Sequence, residues 1–144
     1  MRKIITVVVF LITVIGYTQD KEFNKEYDGY KYIETEEDGK ELYYKIAKEG
    51  YVWYKIILPE EKEFDGYEGK VKTQVTLQKI DCESETIGEK ALVLYDKSNK
   101  VLYEEQLNFF QIEMKMPTPN SYSEFYMNFY CEKTYLVEHY KKGD

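Results

Sequence analysis

The sequence predicts an α+β fold: a single antiparallel sheet of about six strands, with a C-terminal helix packed on one face and tethered to the sheet by a disulfide. Three observations carry this expectation. Short runs from Tyr30 to Gln106 alternate apolar and polar residues between turn signals, an aromatic stripe at helical spacing follows a proline-containing break, and two cysteines, Cys82 and Cys131, lie one in each part.

The first two strands, Tyr30–Glu36 and Glu41–Ala47, flank Asp38-Gly39, a dipeptide whose members both tolerate positive φ in a two-residue hairpin loop. That loop pairs Glu37 with Lys40, Thr35 with Leu42, and Ile33 with Tyr44. The next loop, Lys48-Glu49-Gly50, places glycine where a three-residue connection needs the left-handed conformation. It pairs Ile46 with Val52, Tyr44 with Tyr54, and Leu42 with Ile56, so both registers agree on one apolar face. A two-residue loop at Glu49-Gly50 would set Ile46 against Trp53 and mix the faces.

Alternation then fixes the outer face: Tyr32, Lys45 and Trp53 form one row, and Glu34, Tyr43 and Lys55 the next. Pro59 ends the third strand, and residues 60–69 read as a charged loop. Val71, Thr73, Val75 and Leu77 alternate with polar residues as a half-buried strand; parity slips before Ile80 and Cys82, which predicts a β-bulge near Lys79. Lys90–Asp96 and Lys100–Gln106 form the last hairpin, around Lys97-Ser98-Asn99. After Met116-Pro117-Thr118-Pro119, Ser121 with Glu124 is a capping-box pattern, and Tyr122, Phe125, Tyr126, Phe129 and Tyr130 share a helical face. Helical spacing turns Cys131 away from that face, so the helix either ends before Cys131 or packs on two sides. Residues 132–144 read as a charged tail, either strand or frayed helix.

Arg2 and Lys3 precede an apolar run from Ile4 to Ile15, too short to span a bilayer comfortably, so residues 1–18 are expected to be a secretory signal cut near Gly16 to Thr18; an uncleaved anchor is the rival reading. Residues 19–29 then form a polar leader. No cysteine lies near the cleavage region, so no lipid anchor is expected, and the mature chain is placed in the periplasm or outside the cell. Two cysteines in an oxidising compartment pair rather than remain as buried thiols, and a loop of 49 residues between them removes about 4 kcal/mol of chain entropy from the unfolded state.

The chain carries a formal charge of −7, which becomes −9 when Arg2 and Lys3 leave with the signal. Such a domain repels phosphate, which argues against nucleic acid and anionic lipid as partners. Its sixteen tyrosines favour strands first and recognition second. No catalytic residues, metal ligands or cofactor motif are expected. The single histidine, His139, sits among tail charges, the serines lack a nucleophile setting, and Gly66-Tyr67-Glu68-Gly69-Lys70 is too short for a phosphate loop. The acidic clusters at 34–38 and 60–65 match no calcium-loop spacing.

The expected function is therefore non-catalytic protein binding. The candidate binding face is Tyr32, Tyr43, Lys45, Trp53 and Lys55, aromatic and cationic on an acidic protein. Ordinary cross-strand pairing explains the same residues, at about 0.2–1 kcal/mol per pair. A helix of about ten residues leaves part of the sheet uncovered, which makes a homodimer an expectation as well.

Val52-Trp53-Tyr54-Lys55 in an early strand, Asp81-Cys82 closing the central strand, and Met116-Pro117 through Ser121 before a helix reaching Cys131 occur in an order that resembles the surface-adhesin protein E family of bacterial exported domains, over residues 30–131. The resemblance implies a six-stranded antiparallel sheet with the helix held by Cys82–Cys131, and adhesion to extracellular-matrix or serum proteins. This chain departs from the family in having no lipid-anchoring cysteine and in carrying Phe109-Phe110 where a tryptophan is common. A periplasmic inhibitor or accessory subunit of an envelope enzyme is the alternative function.

Overall fold

The computed structural model describes the backbone of residues 26–141 and the side chains of residues 28–133. The expected signal, residues 1–18, most of the leader, and the side chains of the tail beyond residue 133 lie outside the described residues. Strands β1 (Glu26–Tyr27), β2 (Tyr30–Thr35), β3 (Glu41–Lys48), β4 (Tyr51–Glu63), β5 (Lys70–Asp81), β6 (Thr86–Tyr95) and β7 (Val101–Gln106) form one sheet in chain order, and every neighbouring pair is antiparallel. β2 to β7 are the six expected strands. β1 adds a two-residue edge where the sequence reads as leader. Helix α1 (Tyr122–Lys141) follows a 3-10 turn at Phe109–Gln111.

The β3–β4 register is the one the sequence predicts: Leu42 faces Ile56, Tyr44 faces Tyr54 and Ile46 faces Val52, with Gly50 at φ +73°. The loop itself is not the expected one: Lys48 pairs with Tyr51, so it has two residues, Glu49-Gly50, and a bulge at Ala47 restores the predicted register without mixing the faces. The β2–β3 register differs by one residue. Glu36 N–H donates to Lys40 O and Gly39 N–H to Glu36 O, so the loop has three residues, and of Asp38 and Gly39 only Gly39 takes positive φ. Asp38 accepts from Lys40 N–H at 3.1 Å instead of adopting the left-handed conformation. Thr35 consequently pairs with Glu41, Glu34 with Leu42 and Tyr32 with Tyr43, across a bulge at Ile33. The last hairpin uses the same loop design with asparagine: Asn99 is at φ +61°, and Asp96 Oδ1 accepts from Ser98 N–H and Lys100 N–H.

Pro59 does not end β4. Residues 58–61 form a wide irregularity between Ile57↔Thr73 and Lys62↔Val71, a place where a missing N–H costs no ladder bond, and the strand continues to Glu63. Nor does β5 bulge near Lys79. It pairs with β4 without a break from Thr73 to Lys79, and the extra residue lies on β6, at Lys90. Val75 and Leu77 therefore face Lys55 and Trp53, away from the helix, whereas Ile80 joins the cluster beneath it. The slipped parity records a sheet buried on both faces: Val75 and Leu77 belong to the face away from the helix, while Ile80, and Val71 at the start of the strand, belong to the cluster beneath it.

Helix α1 runs twenty residues, twice the expected length and about 30 Å, which removes the argument for a homodimer built on a short helix. Ser121 Oγ accepts from Glu124 N–H at 3.3 Å, and the Glu124 carboxylate reaches back to Asn120 N–H at 2.7 Å. The helix continues through Cys131 and buries a broad side. Tyr126 and Tyr130 are innermost, Tyr122, Phe125 and Phe129 lie on one flank, and Met127 and Cys131 on the other.

Four attachments seat it along β3 and β4. Tyr122 Oη donates to Glu36 Oε2 at 2.6 Å, Tyr54 Oη donates to Tyr126 O at 2.8 Å, Gly50 N–H donates to Tyr130 Oη at 2.9 Å, and Cys131 is bonded to Cys82 with Cα atoms 5.8 Å apart. The rings of Tyr54 and Tyr126 are also stacked at 3.8 Å, a contact worth about 0.5–1.5 kcal/mol beyond the area it buries.

Gly50 Cα can accept a side chain only at a cost, because a Cβ there would lie 3.3 Å from Ile80 O on a left-handed backbone. Gly50→Ala is expected to destabilise the domain by about 1–2 kcal/mol in urea unfolding. Replacing Cys82 and Cys131 together by serine is expected to lower stability by up to about 4 kcal/mol while leaving far-UV circular dichroism strand-dominated, since the sheet's own pairings remain.

Candidate functional site

All five residues of the expected binding face lie on the side of the sheet opposite α1, but not in the expected rows. The one-residue shift at the loop and the bulge at Ile33 together displace Tyr32 by two residues, which puts it opposite Tyr43 and Lys55 and leaves Lys45 beside Trp53 and Leu77. Tyr43 is 1% and Lys55 6% exposed, so these two are part of the interior and offer no surface. Tyr32 and Trp53 are half-buried, and Lys45 is exposed. Val75, Leu77, Ala91 and Val93 continue the same face and are buried too. The expected solvated face is thus a second apolar layer, with an accessible part reduced to Tyr32, Lys45 and Trp53.

Tyr30 organises the cationic side of this layer. The Lys55 ammonium lies 4.1 Å from its ring centroid and that of Lys45 5.7 Å. Burial lowers the Lys55 pKa, with Lys45 adding to the effect and Asp28 opposing it. The Tyr30 hydroxyl is pushed up to about 12, by burial first and then by Tyr95 and Asp28. Tyr32 and Tyr43 meet edge to face at 5.6 Å, and their hydroxyls bond Thr35 Oγ1 and Glu41 Oε2. These are the interactions of a packed layer, and they account for most of the residues chosen as a binding face.

A shallow depression of about 610 Å³ lies between the β2–β3 loop and the start of α1, lined by Glu34, Thr35, Glu36, Glu37, Asp38, Lys40 and Tyr122. Four of its polar groups are engaged with one another: Lys40 Nζ is 2.7 Å from Asp38 Oδ2, and Tyr122 Oη is held by Glu36. It is a latch for the helix. No group of three His, Cys, Asp or Glu among the described residues is arranged to hold a metal. No described helix is long and apolar enough to cross a membrane.

The surface that sequence periodicity misses lies between β7 and the helix. Phe109 is 60%, Phe110 94% and Met116 70% exposed, on an ordered backbone. Asn108 caps the 3-10 turn: its Oδ1 accepts from Phe110 N–H at 3.1 Å, while Gln111 Oε1 accepts from Asn108 N–H at 2.9 Å. The Asn-x-x-Gln spacing ahead of a proline is the signal that was present in the sequence. Two adjacent aromatics cannot share one face of a strand, which is why no alternation revealed them.

Tyr30 and Tyr122 are both pushed up to about 12, against about 10 in an unfolded chain. The unfolded state therefore ionises first as pH rises. Stability is expected to be full below pH about 10 and to be lost between about 10 and 12, with tyrosinate absorbance rising together with unfolding.

Comparison of the chain with family models, with curated proteins and with solved structures yields no match.

Proposed function

We propose that the chain is an exported, non-catalytic protein-binding domain that adheres to extracellular-matrix or serum proteins. The observation that carries the reading is the display of large apolar side chains, Phe110 above all, on an ordered backbone. Single exposed apolar residues are ordinary, but Phe109, Phe110 and Met116 fall within one short segment, and clustered exposure of this kind marks contact surfaces. The disulfide supports the compartment, because such bonds persist where thiols are oxidised. The half-buried Trp53 and Tyr32, with the exposed Lys45, add a second and smaller contact area of the composition interfaces favour. The order of motifs shared with the surface-adhesin protein E family supports adhesion as the form that binding takes.

Affinity capture by the oxidised domain, offered matrix and serum proteins beside an extract of the producing cell's envelope, tests the reading. Retention of a matrix or serum protein with a reproducible dissociation constant is the expected result. Retention of an envelope protein alone would move the function to a periplasmic inhibitor or accessory subunit, and retention of nothing would remove protein binding altogether.

A further inference from the structure

The segment 107–117 leaves the sheet and returns to it. Leu107 N–H donates to Lys90 O at 2.8 Å, and Lys90 Nζ donates to Leu107 O at 3.1 Å. Eight residues later Lys115 exchanges both backbone bonds with Ile87, at 2.9 and 3.1 Å. The loop is therefore pinned at both ends to the same strand, β6. Its inner side is seated on Gly88: a Cβ there would lie 2.7 Å from Ile112 Cγ2, 2.8 Å from Glu113 O and 3.0 Å from Met114 Sδ, so only glycine admits the loop this close. Ile112 and Met114 point inward and are half-buried, while Phe109 and Phe110 point outward, edge to face at 5.7 Å. A capped turn pinned twice holds the Phe110 backbone in place before any ligand arrives, so docking has only the exposed ring left to order.

The geometry points to Phe109 and Phe110 as a preformed anchor that inserts into an apolar, acid-rimmed socket of a second folded protein. This assignment rests on the protein-binding reading above and gives it a site and a partner chemistry. The acid rim follows from charge. The protein is acidic overall at −7, yet Lys79 lies 4.3 Å from the Phe109 ring, Lys90 is bonded into the base of the loop and Lys115 is exposed beside it, against Glu113 in the segment and Glu89 on β6, whose carboxylate is directed to Gln78. A cationic collar around an aromatic knob complements carboxylates around a pocket, and it steers the approach of a partner that would otherwise meet a protein of like charge. A lipid surface fits less well. Two phenylalanines bury less apolar area than one acyl chain, which by itself holds a protein to a bilayer only marginally, and the net charge opposes anionic headgroups.

The test uses the full oxidised chain with a photoreactive phenylalanine analogue in place of Phe110, and in a second protein in place of Lys97, which is exposed on the β6–β7 loop. Irradiation in the producing cell and in serum is expected to give a protein adduct from position 110 and none from position 97. The adducted protein, purified, is then titrated with variants. Phe110→Ser is expected to weaken its binding about 30-fold or more, with Phe110→Trp restoring most of it. The urea midpoint of Phe110→Ser should match that of the parent, because the side chain touches so little of its own protein. Gly88→Ala, which lifts the loop while keeping both rings, is expected to weaken binding about 3–10-fold. Lys115→Glu should slow association about tenfold at low salt.

Adducts to phospholipid alone, cosedimentation of the chain with phosphatidylcholine or phosphatidylglycerol vesicles that is lost in Phe110→Ser, or no adduct from position 110 would each overturn the assignment. A Lys115→Glu association rate equal to that of the parent would overturn the acid rim. If a protein ligand found by affinity capture is held equally by Phe110→Ser but lost on changing Tyr32, Lys45 and Trp53 to alanine, the anchor fails while the protein-binding function stands. If no protein is bound at all, both fail.

Discussion

Gly50 is the residue on which most of the architecture turns. Its positive φ closes the β3–β4 loop, and that loop decides which side chains of the two strands face α1. Its N–H is then taken by the Tyr130 hydroxyl of the helix and its carbonyl by Ile80 N–H of β5. Both neighbours lie one or two residues from a cysteine of the disulfide. One backbone position thus joins hairpin, helix and third strand within a few ångströms of the covalent bond. A side chain there would have to satisfy a left-handed backbone and the nearby Ile80 carbonyl together.

The two layers the sheet separates differ in chemistry. Beneath α1 the contacts are ring against ring, and the hydroxyls of Tyr54, Tyr122 and Tyr130 all find specific partners, which is how polar tips are carried into an interior without loss. Burial pushes the Tyr54 and Tyr126 hydroxyls well above their ordinary range, so both stay neutral wherever the fold persists. On the other side Val75 and Leu77 of β5 lie beside Lys55 and Trp53, and the Lys55 ammonium reaches the Tyr30 ring. Thr76, between Val75 and Leu77 and directed to the helix side, is the exception in the first layer: its buried hydroxyl has no hydrogen-bond partner.

What the sequence makes legible depends on how many constraints meet at a position. The β3–β4 register could be read because the apolar alternation of both strands demands it, strongly enough that a bulge at Ala47 makes up for a loop one residue shorter than expected. At Asp38-Gly39 the dipeptide allows two loop lengths, and the choice rests on a side-chain bond from Asp38 to Lys40 N–H that no periodicity encodes. Alternation in β5 shows that Val75 and Leu77 are buried without showing against what, because the period of a strand is blind to which face is the helix's. The same blindness made a binding face of Tyr43 and Lys55, whose polar atoms suggest solvent although both side chains are buried. Residues 132–141 extend the helix, because their charged residues are good helix formers and no proline or glycine interrupts them. The Phe109-Phe110 turn belongs to no period and so had no sequence-level expectation of its own.

The chain-order arrangement of the strands bears on how the molecule is made. Each strand pairs with its immediate successor, so the sheet assembles from hairpins whose closures are short and separately inexpensive in entropy. The helix is different. Its hydrogen bonds to Glu36, Gly50 and Tyr54 span 86, 80 and 72 residues, so its landing site must be complete before it can dock. Cys131 becomes the neighbour of Cys82 only through that docking. A bond between the two sulfurs is therefore a covalent record that the helix has been seated.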